Sequence, residues 1–307
     1  MNCDDIFFPA TEGNIQVLRE RLDAGEVDLN ESIDCGVCNG KHTVITLIFS
    51  IINKMIENGS INYEVLELLY QYGIDFDSQN ILKDEASTMH IPLLVYCLAQ
   101  WHNTELLKFL LEHGAYTNAV RTTYYTSGAR ERLNLLYFAI KYCKGTQELE
   151  LLLMHGASPD ENNLTYDEMN AAQQRLPALF YSAVIERNRD KSFLLLKYGA
   201  STVTPIDTGI GLFHKFALND YLNQFYPAAY HMLYVSFDYS AYGTLKPIRK
   251  SSLEHPKQKL KINEQVQDAN SDTPPSSDTS NNSRTASVQS ESIVLSNQHD
   301  HQKETTK

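Results

Sequence analysis

Apolar residues recur along the first three quarters of the chain in short clusters that share one ending. In each clear copy, an apolar pair or triple stands shortly before a glycine, and a small or apolar residue follows it. These copies span 66–75, 107–116, 149–158 and 192–201. Each copy predicts a short amphipathic helix that ends at the glycine, because a residue without Cβ adopts the left-handed backbone of a helix C-terminus at little cost. Less regular copies at 18–25 and 229–236 bring the predicted units to six.

A second helix precedes each of the clearest copies. Short apolar segments with small residues inside lie at 91–99, 134–141 and 177–185, and a polar turn follows. Asn103 and Thr146 are suited to cap the helices that come after two of these turns. Helix, turn, helix, glycine and polar loop, repeated, predict an α-solenoid in which each helix pair buries its apolar face on its neighbours.

These segments resemble ankyrin repeats, whose pattern runs Thr-Pro-Leu-His, a small-residue helix, and then Leu-Leu-x-x-Gly-Ala. The match is strongest in the second helix, where Gly-Ala stands at 114–115, 156–157 and 199–200. The family's histidine is replaced in the second to sixth units, which implies looser or differently packed interfaces. The replacements are Thr46, Leu94, Tyr137, Phe180 and Phe213. The resemblance covers residues 3–240 and implies a non-catalytic protein-protein interaction module that binds its partner through its concave face and long fingers.

The spacing of the units shows where residues have been inserted. The glycines at 25, 73, 114, 156 and 199 are separated by intervals of 48, 41, 42 and 43 residues, whereas an ankyrin repeat takes about 33. Most of the extra length falls in the fingers between repeats. We therefore predict an all-α fold over residues 1–243: an ankyrin-like α-solenoid of about six helix-turn-helix units with extended inter-repeat fingers.

The C-terminal quarter of the chain differs in composition from the rest. All 31 aromatic residues, 18 Tyr, 12 Phe and 1 Trp, lie before residue 244. Residues 244–307 are rich in Ser, Asn, Gln, Asp and Thr, and cannot bury enough apolar surface to offset the entropy of ordering them. We predict a disordered tail. A basic stretch at 246–261 is interpreted as a solvated linker, with binding of lipid, nucleic acid or an import receptor as the alternative.

The charge of the chain limits the class of partner. With 26 Lys+Arg and 38 Asp+Glu, the net charge is -12, which disfavours nucleic acid and anionic membranes. No apolar stretch is long enough to span a membrane, and the N-terminus lacks the basic n-region of a secretory signal. We expect a soluble monomer whose partner is another protein. It would be cytoplasmic or, as the long fingers and residue usage resemble ankyrin proteins of intracellular bacteria, an effector translocated into a host cell.

Motifs for catalysis are absent from the sequence, which contains no Walker loop, nucleophile elbow, metalloprotease helix, EF-hand or Rossmann fingerprint. We therefore expect neither enzymatic activity nor a cofactor. One cluster in the first finger, Cys35, Cys38 and His42, supports an alternative function as a metal-binding or redox protein. A tetrahedral zinc site needs four ligands, and a fourth has no obvious donor. Ordinary free thiols are the favoured interpretation.

The candidate binding residues lie on the third finger and on the first helices. The finger between Gly114 and Leu136 is basic and rich in tyrosine, and these residue types dominate interface hot spots. The alternative is that its arginines pair with acids of neighbouring fingers and only fix the loop.

An apolar row on the first helices is the second candidate, either partly exposed to a partner or part of the core. The row comprises Leu47, Val95, Phe138, Tyr181 and His214. The predicted partner-binding residues from the two regions together are Arg121, Tyr124, Tyr125, Arg130, Arg132, Phe138 and Tyr181.

Overall fold

Helix pairs and β-hairpins alternate along the chain in the computed structural model. The structure describes residues 4–25, 28–38, 40–167, 172–207 and 215–234. The predicted disordered tail, with its basic stretch, and the candidate residue His214 lie outside these ranges. No helix among the described residues is long and apolar enough to cross a membrane.

Six helix pairs repeat within the described residues, which confirms the predicted number of units. In the third and fifth pairs, the first helix continues as a π-helical turn, at Cys97–Trp101 and at Tyr181–Ile185. The pairs are α1 (Asp4–Glu12) and α2 (Ile15–Asp23), α3 (Leu47–Glu57) and α4 (Tyr63–Gln71), α5 (Leu93–Tyr96) and α6 (Thr104–Glu112), α7 (Leu135–Tyr142) and α8 (Gln147–Met154), α9 (Ala178–Phe180) and α10 (Arg189–Lys197), and α11 (Leu218–Phe225) and α12 (Pro227–Tyr234).

The glycine that ends a second helix has the backbone that the sequence predicts. Gly73 has a φ of 88°, and its N–H donates to the carbonyl of Tyr70 while the N–H of Ile74 donates to that of Leu69. This pair of bonds satisfies carbonyls that have no partner within the helix. The same arrangement closes the helices before Gly114, Gly156 and Gly199.

The N-caps agree with the sequence only in part. Asn103 caps α6, since its side-chain oxygen accepts from the N–H of Leu106 at 2.8 Å. Thr146 occupies the N-cap position of α8, but its side chain makes no capping hydrogen bond there.

The fingers are β-hairpins, so the prediction of an all-α fold is wrong in this respect. Five hairpins join edge to edge in one antiparallel sheet whose ten strands follow chain order. The strands are β1 (Ser32–Cys38), β2 (Lys41–Thr46), β3 (Gln79–Lys83), β4 (Ser87–Pro92), β5 (Val120–Tyr125), β6 (Arg130–Asn134), β7 (Asn162–Asp167), β8 (Ala172–Pro177), β9 (Pro205–Asp207) and β10 (Lys215–Ala217). A long finger must pair its backbone N–H and C=O groups, and pairing with the neighbouring fingers does so.

Asparagine and aspartate side chains tie each turn to the next, in place of the missing histidine. Each acceptor lies four or five residues after its own glycine, and each donor N–H lies two residues after the following glycine. The acceptor and donor pairs are Asn30 and Asp75 at 2.7 Å, Asp77 and Tyr116 at 2.5 Å, Asn118 and Ser158 at 2.8 Å, and Asp160 and Ser201 at 2.6 Å. The neighbouring units are therefore joined through polar side chains of the loops.

A buried lysine makes a further tie between the fourth and fifth units. Lys191 of α10 is 2% exposed, and its ammonium donates to the main-chain carbonyls of Ala139, Ile140 and Cys143 at 3.1, 2.6 and 2.5 Å. Burial lowers the pKa of Lys191, and these three hydrogen bonds compensate for the hydration that the amine loses. The positive charge also lies at the C-terminal end of α7, where the helix dipole favours it.

Candidate partner-binding surface

The two faces of the finger sheet are identified by strand register, because residues directly opposite each other in an antiparallel pair share a face. The face that carries Arg121 and Leu133 is the inner face, since it packs on the first helices. The Arg121 guanidinium lies 5.4 Å from the centre of the Phe138 ring of α7. Thr123 and Leu133 of this face are buried.

The opposite, outer face presents two continuous rows of side chains. The row nearer the hairpin tips, here the tip row, crosses β2 to β6. It comprises His42, Lys83, Thr88, Tyr124 and Arg130. The row nearer the helices, here the base row, crosses β2 to β9. It comprises Val44, Ile81, His90, Thr122, Arg132, Leu164, Arg175 and Asp207.

Tyr124 lies at the centre of the outer face and is held by two neighbours. Its side chain is 45% exposed. The His90 ring meets it edge-on, with centroids 5.6 Å apart, and the Arg130 guanidinium lies 5.1 Å from the centre of the tyrosine ring. A cation over an aromatic face is attracted by the ring quadrupole, so Tyr124 and Arg130 are ordered together before any partner binds.

Arg132 and Tyr125 also lie on the third finger, in different surroundings. Arg132 is exposed and stands opposite Leu164 of the fourth finger. Burial raises the pKa of Glu161, and the positive charge of Arg132 partly opposes this shift. The half-buried Tyr125 contacts the Tyr166 ring of the fourth finger at 5.1 Å between centroids. Tyr125 therefore helps to fix the third finger against its neighbour.

Arg121 has a structural role, although its acid partner lies in its own finger and not in a neighbouring one as the alternative expected. Its guanidinium forms an ion pair with Glu131 of the same hairpin, and the two side chains are 21% and 15% exposed. Because the pair is turned toward α7, Arg121 holds the finger on the helix and offers little surface to a partner.

The predicted exposure of the first-helix row is wrong at every position that the structure describes. Phe138 is 2% exposed and Tyr181 is 9% exposed, and Leu47 and Val95 are buried as well. The inner face of the sheet covers these helices: Arg121 lies over Phe138, and the Tyr181 hydroxyl is hydrogen-bonded to a threonine of β7. Phe138 and Tyr181 therefore belong to the core, and their assignment as partner contacts is corrected.

The cysteine cluster lies on the first hairpin. Cys35 is exposed, and a β-bulge separates Asp34 from Val37 on the same strand. His42 Nε2 lies 3.1 Å from Asp34 Oδ1, so this ring nitrogen already has a partner. The side chain of Cys38 lies outside the described part of the chain, within which no group of three His, Cys, Asp or Glu residues is arranged to hold a metal ion. The metal-binding alternative stays a hypothesis that the zinc content of the purified protein tests.

His113 is the C-cap residue of α6. Its Nδ1 lies 2.7 Å from the carbonyl of Phe109, and its Nε2 lies 2.6 Å from Glu67 Oε2. The imidazole therefore bridges the second helices of neighbouring units, and serves the fold rather than a site.

Comparisons with known proteins add two similarities of fold. No family model and no curated protein matches the chain. The crystal structure of EF0377, an ankyrin repeat protein, aligns with a TM-score of 0.45 and 18% identity over 78% of this chain and 100% of that chain. A chain of the complex between Bd0816, a predatory endopeptidase from Bdellovibrio bacteriovorus, and the immunity protein Bd3460 aligns with a TM-score of 0.41 and 14% identity, over 75% and 96% of the two chains. The helix pairs, glycine turns and joined hairpins of this chain form an ankyrin-like repeat fold.

Proposed function

We propose that the protein is a non-catalytic protein-binding module and that the third finger, β5 to β6, is the centre of its binding surface. The observation that carries the proposal is the exposed Tyr124 ring, which His90 and Arg130 hold in place on the outer face. Tyrosine and arginine supply large contact area and directional hydrogen bonds, and such residues dominate binding free energy when they lie at the centre of an interface.

The rigidity of the third finger favours binding. β5 pairs with β4 on one side and with β6 on the other, so the backbone under Tyr124 is hydrogen-bonded along both edges. A partner that binds here does not have to order a loop, and the free-energy cost of association falls accordingly. The contacts proposed are Tyr124, Arg130 and Arg132, whereas Arg121 and Tyr125 position the finger.

Two further parts of the proposal rest on the resemblance of the sequence alone. The protein acts as a monomer, and it is either cytoplasmic or an effector delivered into a host cell. Light scattering of the purified chain tests the first part. Fusion of the full chain to a translocation reporter tests the second, and a reporter signal confined to the producing cell would contradict delivery.

Substitution of the third finger tests the proposed site. Full-length tagged protein captures its partner, which mass spectrometry identifies. The combined variant Tyr124→Ala and Arg130→Ala is expected to bind that partner more weakly by about 2 kcal/mol or more, with helical circular dichroism and melting temperature unchanged. Unchanged affinity would contradict the site, and a lowered melting temperature together with lost binding would assign the two residues a structural role.

A matched control uses one exposed aromatic residue and one exposed cation outside the sheet. Phe225 of α11 is 50% exposed, and Lys108 of α6 is exposed. The combined change of these two residues to alanine removes one aromatic ring and one positive charge, and it should leave the affinity for the partner unchanged.

A further inference from the structure

Positive charge is concentrated on the outer face of the finger sheet, although the whole chain carries a net charge of -12. From β3 to β8, the described charged side chains of this face are all cations. They are Lys83, Arg130, Arg132 and Arg175. The carboxylates of the face lie at its two ends, where Asp34 is paired with His42 at 3.1 Å and Asp207 stands on β9.

Two acids of the neighbouring strands and turns are paired with other cations. Glu131 is paired with Arg121 on the inner face, and Asp84 at a hairpin turn is paired with Lys41 at 3.1 Å. Two more acids lie near the cations of the outer face, since the charge of Arg132 acts on Glu161 and Asp207 stands directly opposite Arg175. Within the described ranges, no ion pair joins Lys83, Arg132 or Arg175 to a carboxylate. All three side chains are exposed, so their charge can reach a partner.

The spacing of the cations fits a chain that crosses the strands. Neighbouring strands lie about 4.8 Å apart, which separates Lys83 on β3 from Arg130 on β6 by about 14 Å, and Arg132 on β6 from Arg175 on β8 by about 10 Å. An extended peptide advances about 3.3 Å per residue. About seven residues of such a peptide would therefore reach from the first of these cations to the last.

We propose that this face receives an acidic segment of the partner protein, with carboxylates on Lys83, Arg132 and Arg175 and an apolar or aromatic group on Tyr124; the inference rests on the proposed function. Charge complementarity carries it: the negative net charge of the molecule repels an acidic segment, whereas the basic outer face of the sheet attracts it, which raises the association rate and selects the partner. A nucleic acid is the less suitable polyanion, because four cations oppose a net charge of -12 and one exposed aromatic ring offers little stacking.

Fluorescence anisotropy of the full chain with labelled synthetic probes tests the inference. The probes are a peptide of alternating Glu and Gly about twelve residues long, its Lys and Gly counterpart, and an oligothymidylate of about the same length. The acidic peptide should bind more tightly than the other two, and its affinity should fall by about tenfold between about 0.05 and 0.5 M salt, since exposed charges are screened over that range. Tighter binding of the oligothymidylate, or equal binding of the two peptides, would overturn the inference.

Neutralised variants locate the binding. The combined variant Lys83→Gln, Arg132→Gln and Arg175→Gln should bind the acidic peptide about tenfold more weakly, with an unchanged melting temperature. A control variant makes the same change in net charge at three exposed cations outside the sheet. It combines Arg21→Gln, Lys108→Gln and Lys144→Gln, and it should change the affinity less than twofold. Equal losses in the two variants, or none in the first, would place the binding elsewhere and overturn the inference.

The outcomes separate this inference from the proposed function. The charge variant leaves Tyr124, Tyr125 and Arg130 intact, so the two sets of substitutions are independent. If capture of the partner depends on Tyr124 and Arg130 and the acidic peptide does not bind, the third finger is the site and the inference of an acidic segment is wrong. If the peptide binds to the basic face but both variants capture the partner as well as the unsubstituted chain does, the proposed function is wrong. The inference is then wrong as well, because it rests on that function.

Discussion

Arg121 and Arg130 lie on the same hairpin, yet they meet opposite surroundings. Arg121 faces α7, pairs with Glu131 and covers Phe138. Arg130 faces solvent and stacks on the exposed ring of Tyr124. Successive side chains of a strand point to opposite faces, so one residue type serves the fold on one face and is available to a partner on the other. In this sheet, the face on which a side chain lies determines whether it packs on the helices or is exposed to solvent.

Substitution of an aromatic residue is expected to show the largest difference in stability between the two faces. Phe138→Ala should lower the free energy of unfolding by about 3 to 5 kcal/mol, because it opens a cavity beneath the inner face. Tyr124→Ala should lower it by less than about 1 kcal/mol, since it removes only cross-strand contacts on an exposed surface. Urea unfolding of the two variants measures both values. Equal losses would show that the outer face is as important for stability as the inner one.

The arginines of the third finger provide a second, smaller contrast. Arg121→Gln leaves the carboxylate of Glu131 without its cation in a largely buried position and should cost about 1 to 3 kcal/mol of stability. Arg130→Gln should change stability by less than about 0.5 kcal/mol. The double variant Arg121→Gln and Glu131→Gln should recover part of the first loss, because the two residues interact directly. A double variant as unstable as the sum of the single ones would argue against the pair.

The sequence predicted the helical repeat better than it predicted the fingers. Gly73, Gly114 and their equivalents mark helix ends through local backbone chemistry, so their spacing was sufficient to count the units. The strands were missed, although the β-branched and aromatic run from Val120 to Tyr125 with Gly128 in the following turn is typical of a hairpin.

The burial of the first-helix row could not be predicted from local sequence. The helical spacing of Phe138 and Tyr181 is compatible with an exposed groove and with a buried core. Which of the two forms depends on whether the sheet lies over the helices. That contact joins residues far apart in the chain, such as Arg121 and Phe138. Side chains alternate between the two faces of a strand, which places Arg121 and Tyr124 on opposite faces of β5. This alternation can be applied only once the segment is known to be a strand.

The smallest effect on stability is expected at the tips of the first two fingers. There the ion pair between Asp84 and Lys41 contributes to stability in a way that depends on pH. Burial alone would raise the pKa of Asp84, but hydrogen bonds from Lys41 and from the main-chain N–H groups of Ser87 and Ala86 hold it below the ordinary value of 3.8. The ionised form therefore stabilises the fold above pH 3.8, and this contribution is lost as the pH falls through the lower pKa of the folded state.

Asp84→Asn should accordingly cost less than about 1 kcal/mol at neutral pH, and the difference from the unsubstituted chain should shrink in acid. Urea unfolding at pH 7 and at successive values below pH 4 measures it. Asp34→Asn is the control, because the Asp34 side chain is 63% exposed and its loss should matter less. A difference that grows in acid would contradict the sign of the shift.

Photo-cross-linking tests most directly whether the outer face of the finger sheet binds the partner. A benzophenone amino acid replaces Tyr124 on the outer face in one full-length protein and Phe225 on α11 in another, and each is irradiated with the captured partner. Both native side chains are exposed, by 45% and 50% respectively. We predict a covalent adduct with the partner from position 124 and none from position 225. An adduct from position 225 alone would contradict the account and move the binding surface from the finger sheet to the helices.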